Sequence, residues 1–210
     1  MRDSIKAATD SAKAANRSAK VAEEALVSSD RAWISIKPEI IGNFVIEKDR
    51  IQIGVGFNLT NIGKSPATNV QVWAEICPDI VDARERGRKA AETFRFNLMD
   101  TGFVLFPEEI EHRDFLEMEM PTSIFKARIA EDMTSAKERG DDEAEWSTML
   151  PAIMACVSYR LAGSRKVRHT VILYEVRSLG SGHLGWDGSE MTVSLATLKL
   201  VQTFMSGQVT

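Results

Sequence analysis

Between Ile51 and Thr60 the run IQIGVGFNLT alternates, with Ile51, Ile53, Val55, Phe57 and Leu59 on one face and Gln52, Gly54, Gly56, Asn58 and Thr60 on the other. A period of two predicts a half-buried β-strand. The segment NIGKSP follows, in which Asn61, Gly63 and Pro66 favour turn dihedrals, and alternation resumes at Val70, Val72, Ala74 and Ile76. Two strands joined by a loop are expected. Further strands are predicted from Trp33 to Ile36, Gly102 to Phe106, Phe115 to Met120, Ala152 to Leu161 and Lys166 to Val176, with a final one near Met191 to Leu195. The runs at 152–161 and 166–176 are apolar on both faces, as central, covered strands are. About seven such strands suit a mainly β chain folded as an immunoglobulin-like β-sandwich over residues 31–210.

Three stretches carry a helical period instead. KAATDSA, KAANRSA and KVAEEAL repeat at a spacing of seven, so that Ile5, Ala8, Ala12, Ala15, Ala19, Ala22 and Leu26 fall on one side of a helix predicted over residues 1–30. These are the a and d positions of a coiled coil, and Lys6, Lys13 and Lys20 form a separate stripe. Alanine favours the helix, but each buried methyl contributes less than about 1 kcal/mol, so this helix needs a partner. Two helical insertions are expected in the β domain. One runs from Asp79 to Phe94; the other runs from Pro121 to Arg139, with Phe125, Ile129, Met133 and Ala136 on one side. GDDEAE, from Gly140 to Glu145, reads as a solvated loop. GSGHLGWDGS, from Gly180 to Ser189, reads as a flexible connection in which Trp186 is exposed for a partner.

Charge and chemistry narrow the functional classes. The 210 residues carry 27% charged side chains of mixed sign and a net charge of -4, which gives no overall field for nucleic acid. Arg84, Arg86, Arg88 and Lys89 form one basic cluster and Arg165, Lys166 and Arg168 another. The first is interleaved with Glu85 and Glu92 at helical spacing, and both read as solvated faces. His112, His169 and His183 have no metal-ligand spacing, and the late glycine-rich loop lacks any nucleotide fingerprint, so neither a metal nor another cofactor is expected. Cys156 and His169 on neighbouring strands are the one conceivable nucleophile and base. Their expected role is structural, since buried cysteine behaves as a small apolar residue. Outside the cytoplasm, Cys77 and Cys156 could instead form an inter-sheet disulfide.

The string NIGKSPATNV resembles the N-x-G-x-x-P-A-x-N-V turn of many immunoglobulin-like or fibronectin-like bacterial domains. Together with SDRAWISI at 29–36, LFPEE at 105–109 and VSYRLAGSRKVRHTVILYEV at 157–176, the chain looks like a group of uncharacterised bacterial proteins. In that group a transmembrane anchor leads into an alanine-rich coiled coil and then a sandwich domain. The resemblance implies the fold and no activity. Departures from the group are Glu108, where a glycine commonly follows the proline, and Leu161, where an aspartate is common. The group's anchor would precede Ile5, so the chain as written is expected to be soluble and to be membrane-associated only if it extends upstream. The function expected is a non-catalytic protein-interaction module whose N-terminal helix oligomerises or docks. The alternative is a small-ligand-binding domain or a thiol-dependent enzyme using Cys156 and His169.

Overall fold

The computed structural model describes residues 13, 15–19, 21, 31–93, 102–138, 147–186, 189–203 and 208–209. The fold is mainly β, with two open sheets and a two-stranded ribbon. In chain order the strands are β1 (Ile34–Ile40), β2 (Phe44–Ile46), β3 (Arg50–Asn61), β4 (Ala67–Cys77), β5 (Phe103–Leu105) and β6 (Ile110–Pro121). They continue with β7 (Ser147–Met149), β8 (Ala152–Leu161), β9 (Val167–Ser178), β10 (Leu184–Trp186), β11 (Met191–Val193), β12 (Leu198–Gln202) and β13 (Gln208–Val209). Helix α1 (Ile80–Thr93) follows β4, and helix α2 (Thr122–Glu138) follows β6.

In the first sheet β3 is central, pairing with β6 on one side and with β1 and β2 on the other, while β11 extends β2. The second sheet runs β12-β9-β8-β4-β5, with β13 also on β9. Every pairing is antiparallel. Alternation then decides what each face buries. Ile51, Ile53, Val55, Phe57 and Leu59 of β3 join Ile153, Ala155, Val157 and Tyr159 of β8 and Ile172, Tyr174 and Val176 of β9 in one buried cluster shared by both sheets. Each large aliphatic or aromatic side chain removed from water there contributes about 1.5–3 kcal/mol. Two tyrosines of the second sheet also reach across it. The Tyr159 hydroxyl donates to the carbonyl of Ala32 at 3.3 Å, and that of Tyr174 to the carbonyl of Ile36 at 3.1 Å.

The even residues of β8 point the other way. Ala152, Met154 and Cys156 meet Cys77, Val171, Leu173 and the α1 residues Ala83 and Ala90 in a second cluster. Helix α1 approaches closely because its buried side is small: a Cβ at Gly87 would lie 2.7 Å from Val171 Cγ1. Its outer face is laced by ion pairs. Arg86 holds Asp82 and Glu75, and Arg88 holds Glu85 and Glu92.

Several expectations need correction. GSGHLGWDGS is not a free tether, because Leu184–Trp186 pairs with Ser147–Met149 and buries Leu184 and Trp186. The period of two there lasts only three residues and lies among glycines. Trp186 packs against Phe125 of α2 with ring centroids 5.8 Å apart, and its indole N–H donates to the Ser189 carbonyl at 2.5 Å. The strand near Met191 is not the last, since β12 and β13 follow it. Most of the helix expected over 1–30 lies outside the described residues: Ala15 and Ala19 of its stripe are helical and exposed, whereas Ile5, Ala8, Ala12, Ala22 and Leu26 are not described, nor are residues 139–146.

The turn after β5 is strained at Glu108. Glu109 N–H donates to the Phe106 carbonyl at 3.1 Å, Pro107 presets the entry, and Glu108 takes φ +67°. That left-handed conformation strains any side chain and suits glycine. Glu108→Gly is therefore expected to stabilise the fold by about 0.5–1 kcal/mol in denaturant unfolding, relieved strain outweighing the added freedom of the unfolded chain.

Candidate functional site: an apolar rim around Asn61

The turn Asn61–Pro66 joins β3 to β4 and is organised by one buried amide. Asn61 is fully buried, yet its side chain is saturated. Its Oδ1 accepts from Trp33 N–H at 3.2 Å and Gly63 N–H at 3.0 Å, and its Nδ2 donates to the carbonyls of Ser65 at 2.8 Å and Leu105 at 3.0 Å. Its backbone joins the same knot: Glu108 N–H donates to the Asn61 carbonyl at 2.8 Å. The entry to β1, the loop, and both ends of the β5–β6 turn are thereby held together. A buried amide with all four positions filled adds to stability, whereas an unfilled one costs about 1–3 kcal/mol per orphaned group.

The rest of NIGKSPATNV fits around this amide. A Cβ on Gly63 would stand 2.2 Å from the Arg31 carbonyl, so only glycine lets the strand entry pass. Ala67 is fully buried between Leu105 and Leu161, its partners on either side. Asn69 adopts φ +51° at a bulge where the pairing of β4 with β5 and β8 shifts, and Val70 returns to the core.

This knot presents apolar side chains to solvent. Ile62 in this turn is 68% exposed, and Phe106 and Ile110 on either side of the neighbouring β5–β6 turn are 57% and 65% exposed. Ile110 lies opposite Thr60, and Ile62 is two residues on from Thr60, so both belong to the outward face of the first sheet. Ile62 N–H donates to the Trp33 carbonyl at 2.8 Å, which sets Trp33 on the same face. The Arg31 guanidinium lies over the Trp33 ring at 3.8 Å from its centre.

Cys156 and His169 do lie on one face of neighbouring strands, but Ser158 stands between them. Ser158 pairs with His169 in the β8–β9 register, and its Oγ is 2.8 Å from His169 Nδ1 and 3.9 Å from Cys156 Sγ. All three are buried. Burial pushes the Cys156 thiol up to about 11 and the His169 imidazole down. An activated thiolate needs the opposite arrangement, a cation beside an exposed sulfur. The strip is thus suited to a neutral hydrogen-bonded chain. Cys77 pairs opposite Ala152, four residues along β8 from Cys156, and the thiols are free. Both cysteines lie on the second sheet, about 13 Å apart along the strand direction, which excludes an inter-sheet disulfide.

Other groups fall where sequence reasoning did not place them. Trp73 is 41% exposed because it lies on the second sheet's outer face, paired across from Cys156. His112 bridges Asn58, at 2.8 Å, and Asp114, at 2.6 Å, on the outward face of the first sheet, with Glu39 at 3.7 Å. Among the described residues no group of three or more His, Cys, Asp or Glu side chains is disposed to hold a metal ion. None of the described helices is long and apolar enough to cross a membrane. The rim itself was missed. Its signal was the apolar residue inside each turn, Ile62 in NIG and Phe106 in LFPEE, where polar residues are the rule.

No protein-family model, curated protein or solved structure matches this chain.

Two measurements check this site. Asn61→Ala and Asn61→Asp should each lower unfolding stability by about 3 kcal/mol or more, because alanine orphans all four partners and a carboxylate cannot donate to the Ser65 and Leu105 carbonyls. For His169 the folded imidazole titrates below its ordinary value of 6.5. The unfolded chain therefore takes up the proton first, and stability falls as pH drops below about 6.5, by up to about 1.4 kcal/mol per pH unit until the folded group also protonates. His169→Gln should remove that slope from melts recorded between pH 7.5 and 5.

Proposed function

We propose that this chain is a non-catalytic protein-interaction module: an immunoglobulin-like β-sandwich that carries an apolar rim at one end and an N-terminal heptad helix that associates with protein. The observation that carries this reading is the rim. Ile62, Phe106 and Ile110 are exposed on two turns that the Asn61 side chain and carbonyl tie together, so less loop ordering opposes binding. Large apolar side chains on a rigid support are what an interface core uses. The shared burial between two antiparallel sheets supports the sandwich, and the heptad register of Ile5, Ala8, Ala12, Ala15, Ala19, Ala22 and Leu26 supports association through the helix. The resembled group supports membrane attachment through a segment upstream.

Enzymatic function is the weaker reading, because the one nucleophile candidate is sealed: Cys156 is 1% exposed and Ser158 lies between it and His169. Light scattering on the full chain tests the association half. The expected result is a mass above that of one chain, reduced to one chain by Ala12→Glu with Ala19→Glu, which keep the helix but place charge in its seam. A monomeric full chain at high micromolar concentration would remove the self-association reading.

A further inference from the structure

Alternation along β9 turns one arginine inward. Val176, Tyr174 and Ile172 face the core shared by the two sheets, and Thr170 and Arg168 continue that face toward the β8–β9 turn. Arg168 was expected on a solvated face with Arg165 and Lys166. Those two are exposed, whereas Arg168 stands directly across from Tyr159, their Cα atoms about 4.5–5.5 Å apart. Tyr159 is buried on the same face, and its hydroxyl ends on the carbonyl of Ala32, in the segment that enters β1. Arg31 is the neighbouring residue of that segment.

The two arginines share a condition. Each has a buried Nε without a hydrogen-bond partner, and among the described residues no carboxylate pairs with either. By contrast, Arg50, Arg86, Arg88, Arg113, Arg128 and Arg177 each hold a carboxylate. Both unpaired charges act on the Tyr159 hydroxyl: burial holds its pKa above the ordinary value of 10, and Thr170, Arg31 and Arg168 work against that. Thr170, 6% exposed, adds a hydroxyl on the same face that makes no hydrogen bond of good geometry. Two cations acting on one buried oxygen repel each other and keep desolvated donors idle, a cost that an anion between them removes. Orphaned buried donors are where proteins hold ions or water. The Arg31 guanidinium lies over Trp33 at 3.8 Å from the ring centre, which fixes its plane and leaves the N–H groups at its edge free to donate. We infer that Arg31 and Arg168 form a binding site for a small oxyanion, a phosphate or carboxylate group, beside the Tyr159 hydroxyl. Both side chains are partly exposed, so a solute reaches them while their Nε atoms stay covered. The site is independent of the association reading above.

The test uses the full chain and inorganic phosphate, with sodium acetate as the carboxylate probe and sodium chloride at matched ionic strength as the control. Isothermal titration should show saturable binding of phosphate or of acetate at one site, and the melting temperature should rise with the concentration of whichever binds. Arg31→Gln with Arg168→Gln should weaken that binding at least about tenfold. Arg165→Gln with Lys166→Gln removes the same charge from exposed neighbours and should leave it unchanged. Arg31→Lys with Arg168→Lys keeps the charge, loses the planar fork and should also weaken binding, which covers a glutamine pair that does not fold. Neither probe binding the wild-type chain beyond the chloride control would overturn the site. Equal loss in both glutamine pairs would reduce it to general screening of surface charge, and undiminished binding by the lysine pair would overturn it as well.

Discussion

One buried side-chain amide organises the end of the molecule where β3 turns into β4. Asn61 sits where β3 leaves the first sheet, and four hydrogen bonds from its side chain reach the entry of β1, the turn itself and the end of β5. Three crossing segments leave backbone groups that no sheet ladder can satisfy. Only a planar group with two acceptor and two donor directions fills them all; serine is too small and aspartate has no donor. Gly63 is then required by the closeness of Arg31, Ala67 by burial between two strands, and Asn69 by a left-handed bulge. The motif is a packing solution, and its by-product is a stiff platform.

That stiffness gives the exposed residues their meaning. Scattered apolar residues on a protein surface need no explanation, and Leu179 or Val81 are of that kind. Ile62 differs because it follows Asn61 directly, and Phe106 and Ile110 because they flank the turn whose Glu108 N–H is held by the Asn61 carbonyl. The opposite case is the Cys156–Ser158–His169 strip, where chemically capable atoms are packed under the second sheet's helix-side face and tuned toward neutrality. In that strip the polar groups are buried and hydrogen-bonded to one another, whereas Ile62, Phe106 and Ile110 stand in solvent.

Much of the fold was legible because alternation is a local signal. β8 was placed at its observed bounds, β3, β4 and β9 within a few residues, and both helices within one or two, since each carries several consecutive turns of its period. The three-residue strands β2, β7 and β10 were not, because one period of alternation cannot be told from chance. Trp186 was misread for that reason: its partner strand and the α2 residue that covers it lie far away in sequence. The candidate site was legible in part. NIGKSP announced a turn, but that Asn61 gathers Trp33, Ser65 and Leu105 depends on contacts spanning up to 44 residues, which no local pattern encodes. Cys156 and His169 were rightly placed on adjacent strands, and the intervening Ser158 emerged only from the register.

The central claim is that the Asn61 knot belongs to the cooperative core and is not a loop lying on it. Native-state hydrogen exchange at the Trp33 and Gly63 amides, both of which donate to Asn61 Oδ1, measures this directly. The account predicts that these two exchange only through global unfolding, with protection equal to that of the β3 amides at Phe57 and Leu59. Exchange at the rate of an open loop would contradict it.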